Sequence, residues 1–139
     1  MTRAGLFIIY GLKQVGKPYI LGAEVGDPVD PDPPAFDCSE LMEKAAEFAG
    51  VPLPDGACYQ FDACREITVA EAKRTLGALL FIQNAGGYPD KPHHIGHVAM
   101  VIARGWCVEA KGRAYGVVVS PITSRFNRAG KLDALYQEA

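Results

Sequence analysis

The sequence lacks any apolar run long enough to cross a bilayer. Its longest run, VAMVIA at 98–103, is far shorter than the roughly 20 residues that a membrane-spanning helix needs. It also lacks a basic stripe: 14 Lys and Arg are scattered among 16 Asp and Glu, for a formal net charge of −2. This balance does not favour binding to nucleic acid or to an anionic membrane surface. We therefore expect neither as a partner.

The four cysteines, at positions 38, 58, 64 and 107, form no CxxC pair, which argues against a zinc ribbon. Cys58 and Cys64 could bridge a loop, but their spacing alone does not decide it. Cys107 lies in a predicted strand, where a buried free thiol is the usual case. This pattern favours a reducing compartment or a virion over a disulfide scaffold.

No clear secretory signal begins the sequence. An apolar stretch follows Arg3, but two lysines come next and no small-x-small cleavage site is present. We expect instead an amphipathic helix over residues 2–16, capped at Thr2 and stopped before Pro18. The predicted location is the cytoplasm of the producing cell or a virion.

With 139 residues, of which 49% are hydrophobic, the chain is expected to form one domain over 1–139. A second helix is predicted over 38–49, capped by Asp37, and a third begins at Thr68, where TVAE is a capping-box pattern. Residues 23–35 are rich in proline and aspartate, which predicts a loop.

In the later part of the chain the pattern changes from helical to extended, with short apolar segments separated by Gly, Asn or Pro. It predicts short strands at 78–82, 97–103, 106–110, 116–120 and 132–136. Helices followed by a run of antiparallel strands indicate an α+β domain.

Two segments carry residues suited to catalysis. FDCSEL at 36–41 places Cys38 where an extended stretch turns into a helix, and GHVAMV at 96–101 places His97 at the head of a strand. A cysteine becomes a nucleophile when a helix N-terminus and a nearby histidine stabilise its thiolate. Backbone N–H groups at the helix start could hold an oxyanion, and His97 could protonate a leaving amine. The pair indicates a cysteine hydrolase.

These segments resemble the NlpC/P60 cysteine peptidases, which cleave peptide bonds in bacterial cell-wall peptidoglycan. The motifs that match, in order, are GKPY at 16–19, FDCS at 36–39, LP at 53–54, Gln60, GALLF at 77–81 and GHVAMV at 96–101. Together they cover most of residues 16–110. The segment from 108 to 117, VEAKG followed by AYGV, is most similar to bacteriophage-encoded members, which implies an endolysin or a virion enzyme.

The resemblance implies a papain-like α+β fold with N-terminal helices packed on an antiparallel sheet, and no cofactor. In it, Cys38 matches the nucleophile, His97 the general base, and Glu109 the polar residue that orients the imidazole. Tyr19 matches a tyrosine that lines the site near the sulfur. We further expect substrate or oxyanion contacts from three residues, Asp37, Ser39 and His94, the last at the rim of the cleft.

Three features depart from the family pattern. Glu40 replaces a small residue, usually glycine, and is expected to crowd the edge of the site. Ala78 replaces an acidic residue, and the proline-rich loop at 26–34 is longer than usual.

The role of Glu109 depends on the hairpin that joins strands 97–103 and 106–110. A three-residue loop at 103–105 pairs Glu109 with Ala99 and places His97 diagonally on the same face. A two-residue turn at 104–105 places the two on opposite faces unless a bulge intervenes.

Other interpretations of these residues are less specific. Cys38 can be a buried structural thiol, His97 a core histidine, and Glu109 a solvated strand residue. Tyr19 can be a packing residue with a hydrogen-bonded tip. HHIGH at 93–97 suggests a metal site, but HExxH is absent and no acidic ligand lies at helical spacing, so no metal is predicted.

Two classes of function follow. The first is a cysteine endopeptidase of peptidoglycan stem peptides, with an N-acetylmuramoyl-L-alanine amidase as a related form. The second is a non-catalytic tail or wall-binding module that keeps the fold. The presence of both Cys38 and His97 favours the first. The expected partner is cell-wall peptidoglycan, together with other virion or lysis proteins.

Overall fold

The computed structural model describes residues 1–22, 33–84 and 92–139, so most of the predicted loops at 23–35 and 26–34 lies outside the described residues. The helices are α1 (Arg3–Lys13), α2 (Cys38–Phe48), α3 (Ala57–Ala63) and α4 (Val69–Ala72), with 3-10 turns at Pro92–His94 and Asp133–Tyr136. The strands are β1 (Arg65–Ile67), β2 (Leu79–Gln83), β3 (Ile95–Ala103), β4 (Trp106–Ala110), β5 (Val117–Pro121) and β6 (Arg128–Lys131).

The predicted helix starts are confirmed by their caps. The side chains of Thr2, Asp37 and Thr68 each accept a hydrogen bond from the backbone N–H three residues on, at 3.2, 2.8 and 3.0 Å. These bonds satisfy donors that a helix start leaves without an intrahelical partner. The first two helices end earlier than predicted, at Lys13 and Phe48, and the helix that begins after Thr68 ends at Ala72.

The strands form one six-stranded antiparallel sheet in the order β1-β6-β2-β3-β4-β5. Four of the five predicted strands are present with small shifts of their ends. The strand predicted at 132–136 is wrong, because a 3-10 turn forms there and the Leu135 N–H donates to the Leu132 carbonyl at 2.9 Å. Both leucines are buried, and a spacing of three residues fits a helical turn better than an alternating strand.

The core lies on both faces of the sheet. Helices α1 and α2 pack on one face, where Phe7, Leu41 and Met42 meet Leu79 and Met100 in a single buried cluster. A smaller cluster covers the other face and includes Leu80, Ala99, Val101, Cys107 and Phe126. The α+β arrangement of N-terminal helices on an antiparallel sheet is therefore confirmed. In the described parts of the chain, no helix has the length and apolar character needed to cross a bilayer.

The β3–β4 hairpin determines which face carries Glu109. Its turn contains only Arg104 and Gly105, so of the two alternatives the two-residue turn forms, not the three-residue loop. Ala103 pairs with Trp106, but the next pair is Val101 with Cys107, which leaves Ile102 as an extra residue. This bulge shifts the register by one, and its continuation places Glu109 opposite Ala99. Glu109 and His97 therefore share a face of the sheet.

A glycine allows residues 16 and 17, which precede the cleft, to hydrogen-bond with the start of the edge strand β5. Val117 accepts from the Gly16 N–H at 2.9 Å and donates to the Lys17 carbonyl at 2.8 Å. Gly116 has a φ of +69°, and a Cβ there would lie 2.4 Å from the Lys17 carbonyl oxygen. Only glycine combines this backbone conformation with so close an approach.

We expect Gly116→Ala to lower the free energy of unfolding clearly more than Gly105→Ala. Both glycines have positive φ, but a Cβ at Gly105 would meet nothing within 4 Å. The control should lose about 1–2 kcal/mol from left-handed backbone strain alone, whereas Gly116→Ala must also displace the Lys17 backbone. Urea denaturation of the two variants measures the difference. Equal losses would show that the Lys17 contact yields without strain.

Candidate active site

Cys38 is the first residue of α2, and its side chain is almost completely buried, with 9% of the residue exposed. Asp37 fixes this helix start from both oxygens: Oδ1 accepts from the Glu40 N–H at 2.8 Å and Oδ2 from the Gly22 N–H at 3.0 Å. The Cys38 Sγ lies 3.9 Å from the Gly96 carbonyl oxygen. The sulfur thus lies between the amide groups of a helix N-terminus and the beginning of β3.

His97 is held from three sides. Its Nε2 lies 2.7 Å from Glu109 Oε1, and its ring also hydrogen-bonds with Cys38. Because Glu109 occupies Nε2, Nδ1 is the nitrogen that faces the sulfur. The Phe126 ring stacks on the imidazole with a centroid distance of 6.2 Å and an angle of 26°. These contacts fix both the position and the tautomer of the ring.

Glu109 has no exposed surface. Its Oε1 faces His97, while its Oε2 accepts from Arg125 Nη2 at 2.8 Å and lies 3.7 Å from Cys107 Sγ. A hydrogen bond from Ser120 adds to this set. Burial alone raises the pKa of Glu109, but the hydrogen bonds with His97 and Arg125 outweigh burial and lower the pKa to about 2. The carboxylate is therefore ionised at neutral pH.

The same contacts favour a charged imidazole. Burial lowers the pKa of His97, but the hydrogen bonds with Cys38 and Glu109 outweigh it and raise the pKa to about 9. At pH 7 His97 therefore carries a positive charge beside the sulfur. A neighbouring imidazolium and a helix N-terminus are the two features that favour a thiolate.

An open cleft runs past the sulfur. Leu21, Tyr59 and Ile95 supply apolar wall, and Tyr19 and Ser39 supply polar groups. The exposed fractions of Leu21 and Tyr59 are 64% and 49%, so this wall is accessible to a large ligand. The cleft can thus present an extended polymer to the Cys38 sulfur.

The structure brings most of the predicted site residues together. Cys38, His97 and Glu109 form one hydrogen-bonded row, and Tyr19, Asp37 and Ser39 line the cleft with Cys38.

Two residues expected at the edge of the site do not appear in the cleft lining among the described residues. His94 lies in a tight turn with a φ of +54°, and its carbonyl oxygen accepts from the Asn84 N–H. Glu40 belongs to the first turn of α2, and its side chain is fully buried. The contact of His94 with substrate stays a prediction.

Side chains that could bind a cation lie apart from the histidine segment. Nε2 of His93 contacts Asp62 Oδ1 at 2.7 Å, whereas His97 contacts Glu109, so the described contacts of these two histidines diverge. Within the described ranges, the group close enough to share an ion is Glu40, Glu43 and Asp55, with one oxygen from each within 4.8 Å of the others. Such acidic clusters are common on proteins and do not define a metal site by themselves. All four cysteines, including Cys58 and Cys64, are free thiols.

Sequence reasoning missed the residues that complete the network. Arg125 and Phe126 lie between β5 and β6, in a stretch with no motif or periodic pattern, and Ser120 is an ordinary strand residue. No local signal pointed to them, because only the antiparallel pairing of β4 with β5 brings this part of the chain to Glu109.

A family model described as NlpC/P60 family matches residues 16–133. The chain belongs to the NlpC/P60 family. Peptidoglycan endopeptidase RipB of Mycobacterium tuberculosis is 34% identical over 115 residues, which are 78% of this chain and 44% of RipB. The NlpC/P60 chain described here thus spans less than half the length of that curated relative.

Solved NlpC/P60 structures share the fold. The peptidoglycan hydrolase RipB of M. tuberculosis superposes with a TM-score of 0.73 at 28% identity, over 94% of this chain and 64% of that one. The P60 domain of an M. avium subspecies paratuberculosis antigen gives 0.71 at 26%, over 94% of each chain. M. tuberculosis RipD, described as a non-catalytic NlpC/p60 domain protein adapted to peptidoglycan binding, gives 0.73 over 95% of this chain and 98% of that one. At 22% identity, RipD shows the fold alone.

We expect Glu109→Gln to slow alkylation of Cys38 by iodoacetamide at pH 7. The substitution keeps the shape of the side chain but removes one of the two partners that raise the pKa of His97. A return of that pKa to its unperturbed value of about 6.5 would leave about a quarter of His97 charged at pH 7, so the reaction should slow about fourfold. Mass spectrometry of the Cys38 peptide gives the rate.

Glu66→Gln is the matched control for this experiment. Glu66 pairs with Arg128 at 2.7 Å on the surface, so its loss should leave the alkylation rate of Cys38 unchanged. An equal rate in Glu109→Gln and the control would contradict the assignment of Glu109 as one of the groups that keep His97 charged.

Proposed function

We propose that this chain is a cysteine hydrolase that cleaves amide bonds in the peptides of bacterial peptidoglycan. The observation that carries the proposal is the row of Cys38, His97 and Glu109, with the sulfur at a helix N-terminus and a buried carboxylate 2.7 Å behind the imidazole. Membership of the NlpC/P60 family and the similarity to a peptidoglycan endopeptidase support peptidoglycan as the substrate.

The proposed reaction begins with attack of the Cys38 thiolate on a substrate carbonyl carbon. The carbonyl π electrons move to oxygen, and backbone N–H groups at the start of α2 stabilise that oxyanion. When the oxyanion collapses, the C–N bond breaks and the Nδ1 proton of His97 passes to the leaving amine. Neutral His97 then takes a proton from water, which attacks the thioester and releases the acid and Cys38.

Glu109 supports both half-reactions without exchanging a proton. Because its pKa lies near 2, it stays ionised while His97 alternates between charged and neutral forms. A fixed carboxylate at Nε2 holds the tautomer with Nδ1 towards the sulfur and stabilises the imidazolium. We assign Tyr19, Asp37 and Ser39 to binding or positioning of the substrate, since all three line the cleft beside Cys38.

Among peptidoglycan amide bonds, we propose a peptide bond of the stem over the bond between muramic acid and L-alanine. The endopeptidase name of the 34% identical relative supports this choice. We also propose that the chain is bacteriophage-encoded, is made in the cytoplasm, and acts on the wall from a virion or during lysis. The similarity of residues 108–117 to phage members supports that part of the proposal.

A non-catalytic wall-binding function is the second candidate. The solved structure of RipD, described as non-catalytic, shows that this fold exists in such a protein. The intact row of Cys38, His97 and Glu109 favours the hydrolase, because a binding module has no need for an aligned thiol, imidazole and carboxylate.

The direct test is digestion of diaminopimelate-type peptidoglycan by the wild-type protein and by Cys38→Ala, with the fragments identified by mass spectrometry. We expect soluble peptides from the wild type and none from Cys38→Ala, because the variant lacks the attacking sulfur. New peptide termini within the stem would identify an endopeptidase, whereas intact stems freed from muramic acid would identify an amidase.

Cys64→Ala is the matched control, since Cys64 lies outside the cleft lining among the described residues and should be dispensable for release. Several wall chemotypes should be digested in parallel. If folded wild-type protein binds these walls but releases nothing, the binding module replaces the hydrolase.

A further inference from the structure

The Glu109 carboxylate has a second cationic partner besides His97. Arg125 approaches it with both terminal nitrogens, Nη2 at 2.8 Å from Oε2 and Nη1 at 3.3 Å from Oε1. This forked contact is directional, because a planar guanidinium matches a carboxylate only when the two groups are nearly coplanar. It fixes the rotation of the carboxylate, and therefore the position of the oxygen that meets His97.

Arg125 is itself held by the residue that packs on the imidazole. Its guanidinium lies 4.7 Å from the Phe126 ring centroid, and the same ring stacks on His97. Two adjacent residues thus contact the imidazole and its carboxylate at the same time. With 35% of its side chain exposed, Arg125 closes the network at the solvent side, whereas Glu109 is fully buried.

The charges of the row alternate and cancel when Arg125 is included. A Cys38 thiolate and Glu109 are negative, and protonated His97 and Arg125 are positive, so the four groups sum to zero. Without Arg125 the same row would hold two negative charges against one positive charge. Since an uncompensated charge in a poorly solvated site is strongly unfavourable, the reactive ion pair would be harder to form.

The other groups around Glu109 do not supply this charge. From β4, the Cys107 thiol has its pKa raised to about 12 by burial and by Glu109, so it remains neutral. From β5, Ser120 offers a neutral hydroxyl. Lys111, which follows β4, acts through its charge on Cys107, whose pKa it lowers. From β3, His97 is the group whose charge the reaction changes.

We propose that Arg125 is a positioning residue that holds Glu109 ionised and oriented towards His97, making the catalytic unit a row of four residues. This inference deepens the proposed function and rests on its cysteine chemistry, but not on the identity of the substrate. Arg125 acts through Glu109 and need not touch the substrate.

The test is the pH dependence of Cys38 alkylation by iodoacetamide in Arg125→Met, followed by kcat and KM for wall-peptide hydrolysis. In the variant, burial is opposed by His97 but no longer by the guanidinium, so the pKa of Glu109 should rise. The acid limb is the low-pH part of the profile, where the alkylation rate falls as the pH falls. We expect this limb to move up by about one pH unit, so that at a given pH on it the reaction is roughly tenfold slower. The loss should appear in kcat more than in KM.

Arg125→Lys distinguishes the effect of the positive charge from the effect of the two-nitrogen contact with Glu109. A lysine at this position keeps the positive charge but lacks the planar pair of donors, so we expect the acid limb to return towards the wild-type position while kcat stays reduced. If Arg125→Met does not fold, Arg125→Gln serves as the neutral variant, because its amide can still donate to Glu109.

Arg128→Met is a closely matched control. Arg128 makes a forked pair with Glu66, at 2.7 and 3.0 Å, and its guanidinium lies 4.7 Å from the Phe61 ring centroid. Its loss removes a similar ion pair and ring contact without touching Glu109, and should leave the acid limb where it was.

The inference would be overturned if the acid limb of the folded neutral variant, Arg125→Met or Arg125→Gln, moves no further than that of Arg128→Met. Because alkylation needs no substrate, the two proposals can fail separately. If the wild type cleaves no wall but the pH profile of Arg125→Met is still shifted, the proposed substrate is refuted and the row of four is supported. A Cys38 that reacts no faster than the other three cysteines in the wild type would contradict both.

Discussion

The burial of the Glu109 carboxylate is the constraint on which the site depends. A buried charge is tolerated only with close, well-aligned partners, and Glu109 has His97 on one oxygen and Arg125 on the other. Several features of the sheet serve this end. The bulge at Ile102 turns Glu109 to the face of His97, and the pairing of β4 with β5 brings Ser120 and the following segment alongside. Each partner is close in space but distant in sequence.

A second irregularity gives His97 its other partner. Ile82 pairs with His97 and Gln83 with Ile95, so Gly96 is an extra residue in β3, and its carbonyl faces the Cys38 sulfur. Bulges therefore occur on both sides of His97 along one strand, which agrees with their frequent use to aim side chains at active sites. The N-terminus of α2 completes the arrangement, because Asp37 ties it to the chain before the cleft and its apolar face packs on the sheet.

The sequence predicts well what local chemistry determines. Asp37 and Thr68 have cap patterns, β3 and β4 are short apolar segments separated by a turn with Gly105, and the cysteine and histidine motifs lie on the predicted elements. Features that depend on the pairing of distant segments were not predicted. Strand β6 contains RAGK, with little strand propensity, and forms because β1 and β2 pair with it on either side. The hairpin bulge was foreseen only as an alternative, since one extra residue leaves no trace in composition. Arg125 was not foreseen at all, because a single arginine in a loop is uninformative until the sheet places it beside Glu109.

The central claim is that His97, held between Cys38 and Glu109, is positively charged at neutral pH. Titration of the wild-type protein by NMR, following the ring nitrogen and carbon shifts of His97, measures this charge directly. The account predicts a doubly protonated His97 ring at pH 7.5 that titrates with a pKa of about 9. A ring that is already neutral at pH 7.5, with a pKa close to the unperturbed value of about 6.5, would contradict it.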